Sequence, residues 1–168
     1  MCYICHRILE NVLDNLDHDN DSHLANCAEI VYSTPGPEVT AYPEGSWGEG
    51  GGHYVWLNQK VAWTWSDIYD LEKRFLEILE DYKIVKKPAP FLTKILQQAA
   101  RELLLLESSD WQFLITTGSA ADYSTDRFKT HSERLEKLLD ISDKLLLGVS
   151  ADKNDKEYLK TVSKDDRP

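Results

Sequence analysis

The chain has 168 residues, 42% of them hydrophobic and 29% charged, and a net charge of −10. Such a chain is long enough for one soluble domain with a real core and too short for two full ones. The negative balance, without any cluster of Lys and Arg, excludes nucleic acid and anionic membrane surfaces as partners, and no apolar run approaches the ~20 residues of a membrane span.

In chain order, residues 6–16 place Ile8, Leu9, Val12, Leu13 and Leu16 on one stripe and predict a helix. Asp17 to Ser22 is a polar break. Glu29-Ile30-Val31-Tyr32 reads as a short strand before the turn Thr34-Pro35-Gly36-Pro37. One helix and one strand cannot bury themselves, so residues 1–42 are expected to be a remnant of some other element.

Residues 43–65 hold four of the five tryptophans and most of the eight glycines. Glycine permits backbone conformations that a side chain forbids, and tryptophan offers a large flat apolar face with one N–H donor at its edge. Pliable hinges carrying rigid plates suit a surface that grips a flat, hydroxyl-rich ligand such as a sugar ring. From composition alone, burial in a core is the commoner fate of such rings.

From Ser66, a candidate N-cap, Ile68, Leu71, Phe75, Ile78, Leu79 and Tyr82 mark a helix to Val85. Lys86-Lys87-Pro88-Ala89-Pro90 is a linker, and 91–107 reads as a helix central to a bundle, because Leu103 to Leu106 are apolar all round. Ser108-Ser109-Asp110 stops it and caps a short helical piece from Trp111 to Thr117, ended by Gly118. A long helix then spans 120–147, with Gly148 after its end. Residues 43–149 thus form the helical body, and 150–168, highly charged with few apolar anchors, are expected to be a disordered tail.

The candidate chemistries are sparse. Cys2-Tyr3-Ile4-Cys5-His6 matches the C-x-x-C-H pattern of covalent haem attachment. Five residues at a chain start are weak support, and two helix-start cysteines with a solvated histidine is the preferred reading. Cys27, His18, His23 and His53 show no paired spacing for zinc. Glu44 and Glu49 flank Trp47 as a glycosidase pair would, but 29 acidic residues make such a pair expected by chance. His131, beside Phe128 and Leu135, reads as a satisfied core histidine, and Ser46 lacks the context of a nucleophile. Three cysteines, an odd number, and the lack of a basic-then-apolar start point to a cytoplasmic location.

The order of motifs carries more. Pro43-Glu44-Gly45-Ser46-Trp47-Gly48-Glu49-Gly50-Gly51, Val55-Trp56-Leu57-Asn58 and Trp63-Thr64-Trp65 come first. Ala100-Arg101-Glu102-Leu103-Leu104-Leu105, Ser108-Ser109-Asp110-Trp111-Gln112-Phe113, Tyr123, Arg127-Phe128 and His131 follow. Across residues 29–140 this resembles the stretch joining the catalytic barrel to the helical C-terminal domain in glycoside hydrolase family 57, most of all its 1,4-α-glucan branching enzymes.

The resemblance implies a mainly α fold: a bundle of three to four helices behind an aromatic, Gly-rich loop and a remnant helix and strand of an incomplete (β/α) barrel. Such enzymes cut an α-1,4 glucan, hold it on a glutamate with an aspartate as acid/base, and pass it to a 6-hydroxyl. Both carboxylates belong to the barrel, so no catalytic residue transfers to this sequence. Trp47 and Trp56, nine positions apart, match the two family tryptophans that line the glucan cleft. Their implied role is stacking on glucose rings and excluding water; Trp63, Trp65 and Trp111 stay core by default. The implied partners are an α-glucan such as glycogen or starch and a catalytic barrel, in cis or on a separate chain. No cofactor and no metal are expected. The chain is expected to be a truncated frame, one part of a split gene or an excised piece, inactive alone. One rival is a stand-alone module that binds glucan or docks on a catalytic chain; a more distant one is a c-type haem electron carrier.

Overall fold

The computed structural model describes residues 11–16, 18, 25–33, 36 and 41–165. The chain divides into two units at Glu44/Gly45. In the first, residues 11–16 are helical, and helix α1 spans Cys27–Ser33. The strand expected at 29–32 is therefore helix. Its β-branched residues favour a strand, but a reciprocal cap outweighs them locally: Glu29 N–H donates to Asn26 Oδ1 at 3.0 Å and Asn26 N–H to Glu29 Oε2 at 2.9 Å. Cys2, Cys5, His6 and His23 lie outside the described residues.

The second unit is helical: α2 Ala62–Ile84, α3 Pro90–Leu106, α4 Asp110–Thr117, α5 Ala121–Leu146 and α6 Lys153–Asp165. No strand occurs among the described residues. Pro90 opens α3 at a position where its missing N–H costs nothing. Gly118 ends α4 in the left-handed conformation, its N–H bonded to Leu114 O at 3.1 Å.

The buried core takes Ile68, Phe75 and Ile78 from α2, Leu92, Ile95, Leu96, Ala99, Leu103 and Leu106 from α3, and Phe128, Leu135, Leu138, Leu139 and Ile141 from α5. The central element is α5, which touches α2, α3, α4 and α6. The α3 helix is not apolar all round in use, since Leu104 is 70% exposed. Trp63, Trp65 and Trp111 are partly buried against the core, as expected of structural rings.

Two boundaries differ from expectation. Helix α2 begins at Ala62, so Ser66 lies inside it rather than capping it. The start is held from outside the helix: Trp63 Nε1 donates to Lys60 O at 3.0 Å and Trp65 Nε1 to Trp56 O at 2.7 Å. The charged tail, expected to be disordered, forms α6 with Leu159 and Val162 buried. Asp152 and Asp155 cap it reciprocally, at 3.1 and 2.9 Å. Arg134 adds an ion pair to Asp165 at 2.8 Å.

Candidate functional site

The loop ahead of α2 is a closed clasp rather than a pliable hinge. Ser46 Oγ donates to Gly52 O at 2.5 Å and accepts from Gly48 N–H at 3.0 Å, while Ser46 N–H reaches Gly51 O at 2.8 Å. Gly50 and Gly51 turn the chain with φ of 71° and 75°. Gly48 serves space instead. A Cβ there would stand 2.8 Å from Gly52 O and 3.1 Å from the Trp56 ring. The clasp thus fixes the residue between Ser46 and Gly48, which is Trp47.

Trp47 is 78% exposed, a high figure for an indole. It meets Trp56 edge-on, with centroids 5.6 Å apart and planes at 66°, and leans on Phe113 at 5.4 Å and 32°. Trp56 is half-buried and anchored, its Nε1 donating to Ser109 O at 3.1 Å while its ring lies 6.3 Å from Phe113. The two expected site residues are therefore neighbours with different duties: Trp47 presents a face, and Trp56 holds it. Phe113 completes the cluster. In the sequence it lies inside a short helical piece, where nothing marked it as a partner of a loop sixty residues earlier.

Beside the cluster, Leu57, Asn58, Gln59, Ala62, Trp65 and Tyr69 line a shallow apolar groove of about 410 Å³. Tyr69 is 60% exposed and its ring lies 5.9 Å from that of Trp65.

Glu44 belongs to the first unit, and Glu49, exposed, opens a 3-10 turn in the second. His131 is fully buried, with Glu102 Oε2 at 2.7 Å from Nδ1 and Arg127 Nη2 at 2.9 Å from Nε2, under the ring of Trp111. That is the satisfied core histidine expected. Cys27 is a free, exposed thiol. Among the described residues no group of three or more His, Cys, Asp or Glu could hold a metal, and no helix is long and apolar enough to cross a membrane.

Residues 67–168 match the family model described as 1,4-alpha-glucan branching enzyme, C-terminal. The chain belongs to this family. The branching enzyme C-terminal domain accounts for the helical body, and its relatives extend the likeness upstream. The chain is 37% identical over 126 residues to the 1,4-alpha-glucan branching enzyme of Thermococcus kodakarensis, covering 75% of this chain and 18% of that protein. It is 33% identical over 98 residues to a probable 1,4-alpha-glucan branching enzyme of Mycobacterium tuberculosis, covering 54% of this chain and 18% of that protein.

Two solved branching enzymes of glycoside hydrolase family 57 share the fold. That of Pyrococcus horikoshii superposes with a TM-score of 0.69 at 34% identity, over 86% of this chain and 26% of its own. That of Thermococcus kodakaraensis, solved with glucose and additives, gives 0.71 at 31% identity, over 88% of this chain and 26% of its own. The branching enzyme C-terminal domain thus spans about a quarter or less of the relatives it matches.

Proposed function

We propose that this chain acts as the C-terminal domain of a family 57 α-glucan branching enzyme, where Trp47 and Trp56 form one wall of the glucan groove. The observation that carries the reading is the 78% exposure of Trp47 on a loop hydrogen-bonded shut behind it. An exposed indole normally costs free energy in water, and here the loop is built to keep it out rather than fold it in. Its flat face suits the apolar side of a glucose ring. Wall and ring together keep water from a glycosyl intermediate, which favours transfer to a sugar hydroxyl over hydrolysis.

Cutting and transfer fall to a catalytic domain on polypeptide other than these 168 residues. The domain alone is expected to bind α-glucan without turning it over, and the cysteine count keeps the cytoplasm as its proposed compartment.

Titration of the chain with maltoheptaose, followed by tryptophan fluorescence, tests the reading. Trp47→Ala is expected to abolish most of the quenching with an unchanged melting temperature. Trp56→Ala is expected to lose both, because truncating a half-buried ring and its bond to Ser109 costs about 2 kcal/mol. Undiminished affinity in Trp47→Ala overturns the proposal, and so does release of new chain ends from amylose by the chain alone.

A further inference from the structure

We infer that α4 is the positioning element of the aromatic site, with Phe113 as the residue that sets the angle of Trp47. The inference rests on the reading of Trp47 as a glucan contact, and it concerns residues that neither the motif match nor the resemblance assigned to that contact.

Four positions on one side of α4 and its cap hold the loop and the start of α2. Ser109 offers its carbonyl to the Trp56 indole N–H at 3.1 Å. Gln112 Nε2 donates to Thr64 Oγ1 at 3.1 Å. Phe113 lies against both indoles. Thr116 Oγ1 accepts from Asn58 Nδ2 at 2.9 Å. Positions 109, 112, 113 and 116 follow the spacing of a single helical face. The other side carries Trp111, which donates from Nε1 to Leu105 O at 2.7 Å and stacks on the buried His131. So α4 is a wedge: one face is fixed to the bundle, the other grips the loop.

Phe113 sits where this matters. Trp47 has solvent on most of its surface, and its ring neighbours are Trp56 edge-on and Phe113 at 32°. A tilted, offset ring behind an indole restricts its side-chain rotation, so the exposed face is held ready before a sugar arrives. Pre-ordering of this kind raises affinity without any contact between Phe113 and ligand.

Phe113→Leu, which keeps apolar volume and removes the ring, tests this in the full chain beside Trp47→Ala. The expected result is a weaker tryptophan signal in near-ultraviolet circular dichroism, unchanged helix content, and about fivefold to tenfold weaker maltoheptaose binding, the scale of one lost aromatic pair. Phe113→Tyr restores the ring and is expected to restore both readouts. Thr116→Val, which removes only the bond to Asn58, is expected to weaken binding about twofold to threefold, and it carries the test should Phe113→Leu fail to fold. Unchanged dichroism and affinity in Phe113→Leu overturn the inference, as does a Phe113→Tyr variant as impaired as Phe113→Leu. Unchanged affinity in Trp47→Ala overturns the underlying glucan reading instead, and the dichroism of Phe113→Leu still decides whether α4 orders the indole.

Discussion

The imidazole of His131 donates from Nδ1 to the Glu102 carboxylate across 2.7 Å, and neither side chain has any exposed surface. The direction follows from its neighbour. Arg127 Nη2 lies 2.9 Å from His131 Nε2, and a guanidinium can only donate. Nε2 must therefore accept, which leaves the ring proton on Nδ1, facing Glu102. On the far side Gln98 Nε2 donates to Glu102 Oε1 at 2.9 Å, and Arg101 Nη1 donates to Gln98 Oε1 at 2.9 Å. Two guanidinium groups thus bracket one buried carboxylate through one intermediary each.

This relay ties α3 to α5 and lies beneath the Trp111 ring that anchors α4. Removing one member leaves a buried acid short of a donor it was built around. His131→Ala is expected to destabilise the domain by about 3–5 kcal/mol, and Glu102→Gln, which keeps shape and loses charge, by about 1–3 kcal/mol. Urea unfolding of both variants checks this. A Glu102→Gln variant as stable as the parent chain would mean that packing volume, not the carboxylate, dominates the site.

The two kinds of glycine in the clasp separate in a second experiment. Gly48 has an ordinary φ of −62° but no room for a Cβ, whereas Gly50 has room but a φ of 71°. Gly48→Ala must push Trp56 or the Gly52 carbonyl away, at about 1–3 kcal/mol, and should disturb the indole. Gly50→Ala pays only for a left-handed backbone, about 1 kcal/mol, and leaves the rings in place. Thermal unfolding with near-ultraviolet circular dichroism distinguishes them. Identical spectra in both variants would show that Gly48 does not support Trp56.

Much of this architecture is legible in the sequence where one signal acts alone. The expected spans 91–107, 111–117 and 120–147 became Pro90–Leu106, Asp110–Thr117 and Ala121–Leu146, because periodic apolar residues sit between Pro and Gly punctuation. Motif order singled out Trp47 and Trp56 as a pair, but not that the first would be exposed and the second anchored to Ser109. What stayed hidden depends on partners distant in sequence. The start of α2 is tied by two indole N–H groups to loop carbonyls, and Phe113 acquires its role from tryptophans far upstream. The face 109, 112, 113, 116 is visible as a spacing, yet only the loop it grips gives it meaning. In Glu29–Tyr32 a local cap overrode strand propensity, which pattern reading weighed the other way.

Helix α6 shows the same limit and yields a third prediction. Its composition is that of a solvated tail, but Tyr158, Leu159 and Val162 recur at helical spacing and meet the bundle, with Lys137 Nζ 4.1 Å from the Tyr158 ring centroid. Three anchors and a cap suffice to order thirteen residues. Leu159→Ala is expected to cost about 2–3 kcal/mol, somewhat below a fully enclosed leucine, and to raise amide exchange across 153–165. A stability equal to that of the parent chain would return this segment to the status of a tail.

A last prediction concerns acidity. Asp67 on α2 sits in an acidic groove with Asp70, Leu71, Ser132 and Glu136. Partial burial first, and the neighbouring Asp70 second, raise its carboxyl above the ordinary value of 3.8. The folded chain therefore holds this proton more tightly than the unfolded chain does. Stability from this group is present below pH 3.8 and is lost as pH rises through the raised value, so the penalty is complete at neutral pH. Asp67→Asn removes the charge and should melt at a higher temperature than the parent near neutrality. The gap should close in acid, where both carry a neutral side chain. Glu107 is raised in the same way by burial and then by Glu72, so Glu107→Gln should shift in the same direction. Melting curves at several pH values decide the matter: a gap that stays constant into acid, or one of opposite sign, would show that lost hydrogen bonds outweigh the relieved charge.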